Sequence, residues 1–375
     1  MNYLNEFEDA SAIKKVLAKL EEEVSVDREY RLMEFCGGHT HCFYKSGLID
    51  CLPKQVKLVH GPGCPVCVLP SARIESAIKL IEANKELVLC TYADLMRVPV
   101  SGGDTMIKAK ARGCDIRPVY SPLDALKIAS DESTKEIIFF SIGFETTTPP
   151  TAAALVKARE LKLKNFTVYC NHVKTGPALD HILASVAMGK QHLDGIIGPG
   201  HVATIIGSDF FNSYSSEHKM PIAISGFTPL DLTQSLLMLV KQVNNKEVKV
   251  DNEYQRSVKP EGNVKALEYM NATLKDRSEF EWRGLGVLEN SAYEINNDFV
   301  EWNAEDRFNF PEVKMNENKA CRCPEVLLGE VSPLECKLFG NQCTPETPMG
   351  SCMVSSEGAC AAYYQSGRHL QEELV

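Results

Sequence analysis

The chain has 375 residues, a formal net charge of -10 and a sequence pI near 5.5, a length that suggests about two or three domains. Acidity without any lysine-arginine block repels nucleic acid and anionic lipid surfaces, and neither a signal peptide nor a run of ~20 apolar residues is present, so a cytoplasmic protein with no nucleic-acid or membrane partner is expected. Fourteen cysteines in a reducing compartment point to metal ligation or thiol redox chemistry, because structural disulfides do not persist there.

In chain order, residues 8–23 repeat apolar positions at helical spacing and predict an amphipathic helix. Short apolar runs ending in glycine turns follow, RLMEFCGG, QVKLVHGPG, ELVLCTYAD and DIRPVYS, with helical stretches such as SARIESAIKLIEANK between them. A second set repeats the alternation: KEIIFFSIGFETT, NFTVYCNHV, DGIIGPGH and MPIAISGF. GPGC at 61–64 and GPGH at 198–201 sit at comparable strand ends. Together these predict an α/β chain with two similar Rossmann-like domains, 1–130 and 131–245. From KQVNNKEVKV onward the alternation stops. A helix is expected over 262–279, and the segment from Cys321 is dense in Pro, Gly and Cys. Too poor in apolar residues to order itself cheaply, that segment is expected to fold around a metal group, as a smaller Cys-rich domain within 246–375.

Four motifs carry chemistry. FCGGHTH (35–41) ends a strand on Cys36, then places His39 and His41 after two glycines that allow close approach to the backbone. A thiolate beside an imidazole suits iron or zinc. HGPGCPVCVLP (60–70) contains Cys64 and Cys67 at a spacing that suits a reversible disulfide and equally half of a zinc site. No second CxxC completes a zinc ribbon, which favours redox work. SIGFETTTPP (141–150) offers Glu145 at a strand end but no lysine, so it is not a phosphate loop. His172 and His201 lie at two further strand ends. The tail cysteines Cys321, Cys323, Cys336, Cys343, Cys352 and Cys360 have no paired histidines, which fits four-thiolate ligation of an iron-sulfur cluster better than finger-type zinc. Zinc remains the alternative.

FCGGHTH, GPGCPVC, GFETTTP and CTPETPMGSCMVSSEGACAAYY, in that order, resemble the signatures of the HypD family of hydrogenase maturation factors, and the match runs from the first helix to the C-terminus. The resemblance implies a scaffold for the Fe(CN)2CO unit of nickel-iron hydrogenase, working with the small chaperone HypC and accepting cyanide from HypE. It implies that Cys36 binds iron shared with HypC, with His39 beside it, and that the iron carries cyanide and carbon monoxide ligands. Cys64 and Cys67 would be the redox pair, and Glu145 joins the candidate catalytic set. The tail would hold a 4Fe-4S cluster, on ligands drawn from Cys323, Cys336, Cys343, Cys352 and Cys360, with Cys321 the first left out of a set larger than four. The tail departs from the expected CxCG in reading CRCP, with Pro324 in the glycine position. Outside this resemblance, an iron-sulfur thiol-disulfide oxidoreductase acting on protein disulfides is the alternative.

Overall fold

The computed structural model describes residues 9–314 and 318–367. All eight predicted strands are present: β1 (Tyr30–Glu34), β2 (Val56–His60), β3 (Leu87–Thr91), β4 (Ile116–Pro118), β5 (Glu136–Gly143), β6 (Phe166–His172), β7 (Gly195–Pro199) and β8 (Ile222–Ser225). They form because each is a short apolar run closed by Gly, Pro or a polar turn. β3, β6, β7 and β8 are buried along their whole length, as strands are in parallel sheets covered on both faces. Three further strands, β9 (Val250–Asn252), β10 (Leu274–Trp282) and β11 (Gly286–Ile295), complete the set among the described residues.

The strands do not sort into sheets as four followed by four. One parallel sheet has the order β2-β1-β7-β8-β9 and the other β4-β3-β5-β6. The chain starts the first sheet, leaves it after His60, builds the whole second sheet, and returns. Numbered within its own sheet, the first reads 2-1-3-4-5 and the second 2-1-3-4, so the two share one winding. In each, the strand order reverses beside the first-entered strand, which opens a crevice at the carboxyl ends of the strands. In the first sheet that crevice lies between β1 and β7, and in the second between β3 and β5.

The first helix, Ala10–Glu23, is N-capped by Asp9, whose carboxylate accepts from the Ser11 N–H at 2.7 Å, and it packs on the helix Pro229–Asn245. That second helix opens with a Thr228–Asp231 capping box and a proline in its first turn, both helix-start signals. The helix expected over 262–279 ends early: Val264–Thr273 is helical, and β10 begins at Leu274. There only Leu274, Phe280 and Trp282 are buried along a strand of otherwise polar residues, and β10 pairs with β11 as an antiparallel hairpin. The hairpin lies along β6, with the Lys174 N–H donating to Ser291 O at 2.9 Å. The buried Trp282 anchors it by donating its indole N–H to Ser291 Oγ at 2.9 Å.

Residues 318–367 carry only short helical turns, among them Cys323–Leu327 and Ala359–Gln365. The last of these packs on the helix Gly37–Lys45, and the Tyr363 ring lies 4.4 Å from that of Tyr44. One apolar cluster runs from Met33 and Val59 through Leu89 and Ile138 to Cys323, Cys343, Cys352 and Cys360. The tail is thus part of the main core, not an appendage.

Candidate thiol and metal centre

β1 ends at Glu34, and Cys36 follows in an extended conformation (φ -152°, ψ 124°) as the residue before the helix Gly37–Lys45. A residue there has the free N–H groups of the first turn beside it. Those of Gly38 and His39 face the Cys36 sulfur and favour its thiolate. Burial outweighs them, with help from the carboxylates of Glu357 and Glu34, and pushes the thiol well above its usual range. Alone, Cys36 is therefore a protonated thiol, and a bound cation is what would reverse that balance.

The glycines around Cys36 are required by the chain's own crowding. A Cβ at Gly63 would stand 2.6 Å from the Cys36 backbone, and one at Gly37 would stand 2.5 Å from Cβ of Glu357. The Gly37 N–H donates to Gly63 O at 3.3 Å. Gly63 and Gly37 thus admit the close approach of the CPVC loop and of the tail.

Glu34 is the buried hub of the turn. Its carboxylate accepts from the Cys36 N–H at 3.2 Å and from the Thr40 hydroxyl, and it lies 2.8 Å from His60 Nδ1. Parallel register places Glu34 directly opposite His60. His39 is fully buried, with Nε2 3.2 Å from Ser225 O and its ring stacked on Phe227 at 4.7 Å. Burial lowers its pKa to about 3, so the imidazole is neutral, the form that ligates metals. Its Nδ1 is buried without a hydrogen-bond partner among the described residues. His201 also stacks on Phe227, with ring centroids 3.5 Å apart.

Cys64 precedes the short helix Pro65–Val68, and its sulfur accepts from the Cys67 N–H at 3.3 Å. The two cysteines are joined as a disulfide. On its far side lies Ser351, whose hydroxyl donates to Cys67 O at 3.0 Å and stands 3.7 Å from Cys323 Sγ.

All six tail cysteines line one small cavity, together with Arg322, Val326, Leu338, Phe339, Gly350 and Met353. Cys321, set aside on sequence grounds, is among them. Thiol contacts run from Cys321 to Cys323, on to Cys352, and from Cys352 to Cys360. The Cys321 and Cys352 hydrogen bonds, with the Arg283 charge adding to them, hold Cys323 below the usual thiol range. Neither imidazole nor carboxylate lines the cavity, so the donor set is all sulfur, which fits an iron-sulfur cluster bound at separate corners. Among the described residues, no three His, Cys, Asp or Glu side chains converge as a site for a single metal ion.

Glu145 lies at the end of β5, in the second sheet. Its carboxylate accepts from the Thr175 N–H and hydroxyl, each at 2.8 Å, and so holds the start of the helix Thr175–Ala187. His172, buried at the end of β6, pairs Nε2 with Thr151 Oγ1 at 2.8 Å. The structure thus brings Cys36, His39, Cys64, Cys67 and the tail cysteines into one body, while the bonds of Glu145 and His172 stay within the second α/β unit. Glu34, His60 and Ser351 were missed by sequence reasoning. The polar Glu34 ending an apolar run was the one available signal.

The model of the HypD family, described as the hydrogenase formation hypA family, matches residues 11–367. Among curated relatives, hydrogenase maturation factor HypD of Azotobacter vinelandii is 50% identical over 373 residues, covering 99% of this chain and 98% of the relative. HypD of Cupriavidus necator is 47% identical over 378 residues, covering 100% of each. HypD of Escherichia coli K12 is 41% identical over 370 residues, covering 97% and 98%. No helix among the described residues is long and apolar enough to cross a membrane. The chain belongs to the HypD family of hydrogenase maturation factors.

Proposed function

We propose that the chain is a cytoplasmic scaffold on which the Fe(CN)2CO unit of nickel-iron hydrogenase is assembled, with HypC sharing the iron and HypE supplying cyanide. The observation that carries this reading is the packing of three sulfur sites into one body. Cys36 lies against Gly63 of the CPVC loop, and Cys67 and Cys323 lie against the same serine.

In this reading the cargo iron is taken by the Cys36 sulfur and by the partnerless Nδ1 of His39. Glu34 fixes the turn that presents Cys36, and burial keeps water from the iron. Releasing cyanide from a thiocyanate breaks the S–C bond and consumes two electrons. Cys64 and Cys67 give up two electrons and two protons when they close to a disulfide, so one closure balances one cyanide. Four of the six tail thiols would hold a 4Fe-4S cluster, which when bound supplies single electrons at low potential.

The thiol-disulfide oxidoreductase reading is less well supported, because Cys64 is 3% exposed and Cys67 0%, leaving no room for a protein disulfide to reach them. The scaffold reading is tested by anaerobic infrared spectroscopy of the protein copurified with HypC. Wild type should show the cyanide and carbonyl bands of the iron unit, and Cys36→Ala should show none. A Cys36→Ala complex retaining the full band set would contradict it.

A further inference from the structure

We propose that Ser351 is the positioning residue that couples the Cys64–Cys67 disulfide to the tail thiols, an inference that rests on the redox reading above. Ser351 is fully buried. Its hydroxyl has one hydrogen, and that hydrogen goes to Cys67 O at 3.0 Å. The same hydroxyl is also in contact with Cys323 Sγ, 3.7 Å away. The result is an unbroken line of contacts from the Cys323 sulfur through the Ser351 hydroxyl to the Cys67 carbonyl.

The backbone of Ser351 makes a second contact. Its carbonyl oxygen lies 3.9 Å from Cys67 Sγ, where it can accept the hydrogen of the thiol that forms when the disulfide opens. Opening breaks one S–S bond, forms two S–H bonds, and takes two electrons from a low-potential one-electron reductant and two protons from water. Ser351 touches both ends of that event, and its hydroxyl fixes the loop relative to the tail.

The test compares two routes of reduction in the anaerobic holoprotein, with free Cys64 and Cys67 thiols counted by alkylation and mass spectrometry. Dithionite is the one-electron route through the tail, and dithiothreitol is the direct two-electron route. Ser351→Ala should keep its iron and sulfide content and be reduced by dithiothreitol as wild type is. Its opening by dithionite should slow by about tenfold, the equivalent of one lost hydrogen bond. Ser351→Thr, which keeps the hydroxyl, should restore the dithionite rate. Equal rates for Ser351→Ala and wild type by both routes would overturn the inference alone. Loss of iron from Ser351→Ala would also overturn it, since the hydroxyl would then be holding the tail's fold. A wild-type protein whose disulfide dithionite cannot open would overturn the redox reading and the inference together.

Discussion

The two sheets share a winding, yet their crevices are built to opposite ends. At the first, a buried thiol stands two residues past the strand, Gly63 of the CPVC loop presses against its backbone, and Glu357 of the tail presses against Gly37. At the second, Glu145 is spent on the N-terminus of the helix Thr175–Ala187, and His172 is spent on Thr151. A shared fold thus supplies a position, and the chemistry comes from what else the chain brings to it. Here the addition is sulfur from two distant segments.

The contrast is broken most severely at the CPVC loop. Cys64→Ser should still form the complex with HypC but should lose cyanide transfer from HypE entirely, since one thiol cannot yield two electrons by closing a disulfide. Transfer assayed with labelled thiocyanate carrier checks this, and unimpaired transfer would remove the loop from the mechanism.

The histidines of the two crevices differ next. His172 falls from 6.5 to about 4, and its depression is caused by burial. A pKa lowered in the folded state contributes stability above the unfolded value and loses it as pH falls through the folded one. For His172 the window runs from about pH 6.5 down to 4, and the change is on the order of 3 kcal/mol. His172→Asn should flatten the fall in urea-unfolding stability across that window. His39, lowered to about 3, continues the loss further into acid and should be unaffected by the substitution.

Gly63→Ala places a methyl group 2.6 Å from the Cys36 backbone. Overpacking of this kind should cost about 1–3 kcal/mol and speed proteolysis of the CPVC loop, whereas Gly47→Ala, with open space around it, should change only backbone strain. Smallest of all should be Thr175→Val in the second crevice. It removes the hydroxyl donor to Glu145 and should lower urea-unfolding stability by about 1 kcal/mol while leaving the infrared bands of the iron unit in place.

Elements set by local pattern were legible in the sequence. The eight apolar runs became eight strands because each is short, apolar and closed by a turn residue. The strand Val250–Asn252 was not, since three residues, two of them polar, carry no period and are ordered only by pairing with β8. The helix expected over 262–279 was half right, because β10 starts at Leu274 within the expected helix and its partner β11 lies further along the chain. Sheet membership was hidden for the same reason: β1 pairs with β7, whose residues are read from the far half of the chain.

At the site, the sequence motifs singled out Cys36, Cys64 and Cys67 as candidates, and the structure packs their two segments against each other. Glu34 and His60 depend on strand register, and Ser351 meets Cys67 across 284 positions. No local pattern encodes such contacts. Cys321 was set aside by counting ligands, whereas the cavity accommodates all six cysteines at its wall.

The account turns on the tail cavity being a redox store joined to the CPVC loop. Iron, acid-labile sulfide and zinc analysis of the anaerobically purified protein tests this most directly. About four irons and four sulfides per chain, beyond any iron bearing cyanide, is the predicted result, and zinc without sulfide would contradict it.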